Sequence, residues 1–377
     1  MLEHDDATPA GKAWGDPLWR VDTAWQRIEA VLCASVLIAE IASLTLWVTL
    51  RGLATDTNSG SGAGGIVCRS LLTMTALAIA AHLATRKRGG AAHTASVSTA
   101  IVLGLLGGLA WKHVGTTWSS NLLNWFQGAS VLMLIGGLRG LATRLTLWVA
   151  LLGASLASSR GKHIHVDVLL HYIPTKLRAP TAILSLVAGT VVCVSAAAGF
   201  MDYIAIAMFQ VNAEQPCPGN AAKRCDTPVG EKMASMGKLV GDDFFLLGRQ
   251  VSLDVRALPH VLAGTPYDGW LTASDWNAWL DSADWTAHFP KVAVDAQRAD
   301  ANGPTRAPAV QVPGSGDARG LLARELDFVF PFGLIVIAIK FLVRILLILS
   351  GHVSVEPDAE FVDEGLMRAS EIVSKSL

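Results

Sequence analysis

The residues best equipped for chemistry are His163-Ile164-His165-Val166-Asp167, which place two imidazoles and a carboxylate within one short run. An H-x-H-x-D pattern offers ligands that suit zinc or iron. The hydrolytic form of that pattern continues with a His directly after the Asp, and Val168 stands there instead. On a helix, His163 and Asp167 share a face while His165 points away. The same stretch also reads as an interfacial helix. Its His and Lys side chains would meet head groups or a partner, while Val166, Val168, Leu169 and Leu170 would face the bilayer. The interfacial reading is preferred, so neither a metal nor any other cofactor is expected.

Three further groups of residues could carry chemistry. Glu40 falls in the first apolar run, and Lys340 and Arg344 fall in the last. An ionisable group in a bilayer is costly unless it is paired or reaches the surface. A Glu40–Lys340 pair would satisfy both if those helices touch. Alternatively, Lys340 could snorkel while Glu40 bonds a hydroxyl or stays protonated. One carboxylate is not a proton relay, so a structural or subunit-interface role is expected. Cys217 and Cys225, in PCPGNAAKRC, have a spacing that can close a small disulfide loop in an oxidising compartment, or they can remain two thiols. The Trp-rich stretch 270–285 could stack on a sugar or grip a partner, but Trp276 and Trp279 share a helical face, which favours a small-domain core. There is no Gly-rich phosphate loop, nucleophile elbow or pair of catalytic carboxylates, so no enzymatic activity is expected.

The elements that must position these residues are mostly membrane helices. Hydrophobic residues make up 51% of the chain and charged ones only 16%, with a mean hydropathy of +0.42. A soluble domain carries about a quarter charged residues, so the composition is that of a membrane protein with a substantial polar part. A net charge of −1 without a basic tract argues against a nucleic-acid partner. Apolar runs long enough to span, or nearly so, are expected at about 25–50, 66–85, 97–113, 138–158, 180–209 and 326–350. Lys12, Arg20 and Arg27 before the first run, and Arg86-Lys87-Arg88 after the second, mark cytoplasmic ends. If 118–137 also spanned, Arg160 and Lys162 would face outward against that rule. That segment is therefore read as an interfacial helix anchored by Trp118 and Trp125.

At Trp148-x3-Leu152-Gly153-Ala154, followed by Arg160-Gly161-Lys162-His163-Ile164 and Val166-Asp167-x-Leu169, the sequence resembles the small membrane subunit of tripartite ATP-independent periplasmic (TRAP) transporters, the DctQ-like family. Trp25–Arg51 and Asp327–Gly351 look like the family's first and last helices. The resemblance implies four family helices with both termini cytoplasmic. It implies a non-catalytic small permease subunit working with a large TRAP permease subunit in ion-coupled uptake, by symport, of an organic anion, commonly a carboxylate. A periplasmic solute-binding protein would deliver that anion. It further implies that Gly153 and Ala154 allow close helix approach, that Arg160 and Lys162 meet membrane lipids or the partner, and that Asp167 fixes the turn. Family members usually lack the segments at 55–113 and 211–325. Acidic residues often found before their second helix are replaced here by Arg139 and Arg144.

The expected fold is an all-α polytopic membrane protein. It comprises the four family helices, an inserted hairpin, an interfacial helix and a small extracytoplasmic domain of unknown fold. Residues 1–24 form a cytoplasmic segment, 25–210 the first part of the membrane domain, 211–325 a periplasmic insertion, 326–350 the last span and 351–377 a cytoplasmic tail, all in a bacterial inner membrane. Two other functions compete with the transporter reading. One is a membrane-anchored periplasmic ligand-binding or sensor module. The other is a metal-dependent membrane enzyme using His163, His165 and Asp167.

Overall fold

The computed structural model describes residues 11–54, 62–86, 90–111, 113–159, 174–217 and 220–353. Eleven α-helices dominate these residues. They are α1 (Asp16–Ala54), α2 (Gly62–Thr85), α3 (Ala91–Gly107), α4 (Thr116–Gly128), α5 (Gly137–Ser159) and α6 (Thr175–Tyr203), then α7 (Val229–Leu262), α8 (Ala273–Asp281), α9 (Lys291–Asp295), α10 (Ala323–Leu326) and α11 (Val329–Ser350). The only strands among the described residues form two small antiparallel hairpins. One pairs β1 (Glu214–Cys217) with β2 (Asn220–Asp226), and the other pairs β3 (Gln311–Val312) with β4 (Gly316–Asp317). Five helices are long and apolar enough to cross a membrane: Ala13–Ala54, Ala63–Thr85, Gly137–Ala157, Leu177–Met208 and Ala323–Ser350. The apolar helix α3 is shorter. The architecture is that of an all-α polytopic membrane protein.

The chain divides into two compact units. The first comprises Met1–Ile38, Leu145–Asp226 and Leu326–Leu377; the second comprises Ala39–Arg144 and Thr227–Glu325. In the first unit, α6 and α11 lie against each other. Phe200 stacks on Phe330 with ring centroids 5.4 Å apart, and Phe209 meets Phe328 at 5.7 Å. The β1–β2 hairpin is closed by a disulfide between Cys217 and Cys225, whose Cα atoms are 5.1 Å apart.

In the second unit, α2 and α3 form a close hairpin. A Cβ at Gly104 would come within 2.3 Å of the Met74 backbone, so only glycine allows the two helices this near. The Trp111 indole donates to Thr73 Oγ1 (2.9 Å) and ties the end of the hairpin back to α2. The segment 118–137 is α4 followed by a 3-10 turn at Val131–Ile135, with the Ser130 hydroxyl capping that turn. α4 packs on the insertion: Trp125 and Leu122 share a buried cluster with Ala257 and Val261 of α7. Trp118 donates to the Leu262 carbonyl, and Asn121 bonds both Thr265 O and the Tyr267 N–H.

The insertion has its own core. Trp276, Trp279 and Trp285 are at most 2% exposed and surround Leu246, Leu253 and Leu271. Trp276, Trp279 and Trp285 are therefore packed interior, whereas Trp270 is half-buried with its ring 4.6 Å from that of His260. A buried Gln250 stitches this core to its neighbours. Its Nε2 lies within 3.0 Å of Ala129 O, Pro308 O and Asp254 Oδ1, and its Oε1 accepts from Val310 N–H (2.7 Å). Buried amides are tolerated when their polar atoms are satisfied in this way.

Candidate functional site

The first unit contains a line of acids on α1 facing bases on α11. α1 carries Asp16, Asp22 and Glu29, while Lys340, Arg344 and His352 follow one another along α11 and its C-terminal turn. The seven-residue step from Asp22 to Glu29 and the four-residue step from Lys340 to Arg344 keep those pairs on one side of their helices. The two helices run antiparallel, so the groups meet in reverse order.

At one end, Asp16 Oδ1 lies 2.7 Å from His352 Nε2, and the other ring nitrogen lies 2.8 Å from Ser350 Oγ. His352 is buried and stacks near Trp19, and the Lys12 N–H donates to Ser350 O (2.9 Å). Further along, Asp22 accepts from Gln26 (2.7 Å) and is within electrostatic reach of both Lys340 and Arg344.

The deepest pair is Glu29 with Lys340, whose side chains are 4% and 6% exposed. Glu29 Oε2 accepts from Lys340 Nζ. Its Oε1 accepts from the Ser155 hydroxyl of α5 (2.9 Å) and from the Trp25 indole (2.8 Å). Lys340 also approaches the Ser155 carbonyl at 3.4 Å. Three helices, α1, α5 and α11, thus share one buried polar knot. Desolvation makes such a pair costly on its own. Its excess of donors around one carboxylate satisfies both charges, which makes it suited to fixing helix register.

This arrangement corrects the pairing expected from the sequence. Lys340 meets Glu29, and not Glu40. Those two carboxylates are eleven residues apart on one helix, about 16 Å at 1.5 Å per residue, so one ammonium cannot serve both. Glu40 is half-buried on α1, and Arg344 is half-buried one turn beyond Lys340. Glu29 lies near the start of the apolar run, a position that does not by itself mark it as buried. The seven-residue step from Asp22, matched by Lys340 and Arg344, was the signal that could have found it.

Ser155 shares a face of α5 with Trp148, seven residues earlier. Trp148 is half-buried, and its indole nitrogen is buried with no hydrogen-bond partner among the described residues. Gly153 lies off that face: a Cβ there would meet nothing within 4 Å, and Ala154 is exposed. Among the described residues, no side chain packs closely against Gly153. Arg160, Gly161, Lys162, His163, His165, Val166 and Asp167, with the metal and interfacial readings attached to them, lie outside the described residues.

A second buried cation was also missed. Arg69 on α2 has no exposed surface, and its guanidinium donates to Leu53 O (2.7 Å), with longer contacts to Gly52, Gly65 and Val114 carbonyls. Two of those carbonyls end α1, where backbone acceptors lack intrahelical donors and a cation is favoured.

A helical membrane bundle with a buried interhelical ion pair and a separate polar insertion defines a polytopic membrane protein. Residues 134–218 of this protein match the family model of the tripartite ATP-independent periplasmic transporters, DctQ component. The match takes in α5, α6 and the stretch between them, which contains the residues that carried the resemblance. The similarity covers that segment, less than a quarter of the chain. No curated protein and no solved structure matches the chain.

Proposed function

We propose that this chain is the non-catalytic small subunit of a TRAP-type secondary transporter, supporting a large permease in ion-coupled uptake of an organic anion. The observation that carries the proposal is the DctQ match over α5 and α6. It is joined by the Glu29–Lys340–Ser155 knot, which ties α1 and α11 to α5. Continuous spanning helices among the described residues suit a scaffold more than a substrate path. In this reading both termini are cytoplasmic and 211–325 lies in the periplasm. A carboxylate would arrive on a solute-binding protein, and the insertion would extend the surface on which that protein docks. An apolar stripe on α7, formed by Phe244, Val251, Val255, Leu258 and Leu262, is exposed and available for such a contact.

Affinity purification of the tagged chain from its native membrane tests the reading. The expected result is stoichiometric recovery of a large apolar permease. Recovery of the chain alone, with a small molecule bound to the insertion, would instead favour a membrane-anchored sensor module.

A further inference from the structure

In the second unit a cleft of about 520 Å³ opens where the end of α1, the face of α4 and the first turns of α5 converge. Its wall carries two guanidiniums, Arg51 and Arg139, together with Asn124, Gln127 and Thr143, and among the described residues that line it there is no carboxylate. Three observations point to an anion here. Gln127 Nε2 is buried and has no hydrogen-bond partner among the described residues. The amide is held in place by the turn beside it, because a Cβ at Gly137 would come within 1.9 Å of Gln127 Oε1. Gly136 and Gly137 both have positive φ (92° and 77°), so the chain turns abruptly into α5, and Gly136, Arg139 and Gly140 of that turn line the cleft. That helix has no acidic residue in its first turn and carries Arg139 there instead. A cation at the positive end of a helix dipole is unfavourable, and a bound anion would reverse the sign of that interaction.

The location narrows the chemistry. The cleft sits at the ends of two candidate spans, Ala13–Ala54 and Gly137–Ala157. Trp47 forms one wall, with the Arg51 guanidinium 5.1 Å from the centre of its ring. Tryptophan and arginine at the end of an apolar helix mark the head-group level of a bilayer. Leu44, Leu46 and Val48, exposed along the last turns of α1, supply an apolar surface for an acyl chain.

We propose that the cleft binds a phosphate group, specifically the phosphodiester of an anionic phospholipid in the leaflet beside the insertion. Arg51 and Arg139 would clamp the phosphate oxygens, since guanidinium geometry matches them, and Gln127 would donate its free N–H.

The test uses full-length protein in detergent and in nanodiscs. Native mass spectrometry should show retained anionic phospholipid on the wild type. Retention should fall at least about tenfold in R51Q/R139Q, as expected for removing two interfacial arginines, and should be unchanged in R86Q, an exposed arginine at another helix end. Melting temperature in nanodiscs should be higher with phosphatidylglycerol than with phosphatidylcholine for the wild type, and that gap should close in R51Q/R139Q. Melting in detergent with inorganic phosphate separates the two sources of the group. Stabilisation by inorganic phosphate with no preference for phosphatidylglycerol would overturn the lipid assignment. Equal lipid retention in R51Q/R139Q and wild type would overturn the site altogether.

Discussion

Glu29 shows how much of this bundle rests on single side chains. Its carboxylate gathers donors from Lys340, Ser155 and Trp25 in an apolar setting. Removing either charge leaves the other buried and unpaired, a change that typically costs about 3–5 kcal/mol. Glu29→Gln or Lys340→Met should therefore lower the melting temperature in detergent sharply, whereas Glu29→Met with Lys340→Met together should recover most of the loss. A double variant no better than the singles would show that the pair is more than a structural tie. Asp254 offers a second residue-scale test, in the insertion. Burial pushes its carboxyl up to about 6, against the hydrogen bonds from Val131 N–H and Gln250 that favour the charged form. The unfolded carboxyl titrates near 3.8, so between those values the folded state holds the proton more tightly. Its contribution to stability is then fully present below about pH 4 and is lost as the pH rises through about 6. Denaturation followed by tryptophan fluorescence from pH 4 to 7 should show this fall, and Asp254→Asn should flatten it. An unchanged slope in the variant would place the titrating group elsewhere.

Among the elements, the α2–α3 hairpin is the most sharply specified. Gly104 lies directly on the Met74 backbone, and Gly108 lies equally close to Ser70. Gly104→Leu would force the helices apart at a cost of about 1–3 kcal/mol, the usual range for overpacking. Loss of a hairpin-specific crosslink between cysteines placed at 77 and 103, both beside the shallow groove between α2 and α3, would report the separation. Arg69, on α2 of the same hairpin, holds the carbonyl end of α1 against it. Arg69→Met should keep the apolar bulk but free those carbonyls. It should raise hydrogen exchange in residues 50–54 while leaving α6 and α11 unaffected.

At the scale of the whole molecule, a helical membrane protein carries an insertion with a tryptophan core of its own. The orientation proposed above puts Cys217 and Cys225 on the oxidising side of the membrane. In intact spheroplasts these thiols should therefore resist alkylation until reduction, then react with a membrane-impermeant maleimide. Labelling only after the membrane is permeabilised would reverse the orientation. The stripe on α7 belongs to this scale as well. Val255→Asp, a 70% exposed position, should leave the insertion folded by fluorescence while weakening recovery of the binding protein on the complex, roughly tenfold for about 1.4 kcal/mol lost.

The sequence by itself determined the membrane class, the run of apolar helices and the family segment, because bilayer crossing depends on local composition and length. It also identified Trp276 and Trp279 as one helical face. What only the tertiary structure decided was which partner each polar group has. Periodicity places Lys340 on a face of α11, but whether Glu29 or Glu40 lies opposite depends on how far two antiparallel helices slide past one another, which no local pattern encodes. The same holds for Arg69, whose acceptors come from another helix and a distant turn. It also holds for the cleft beside Trp47, whose walls are about 90 residues apart in sequence and converge only when α1, α4 and α5 are packed together.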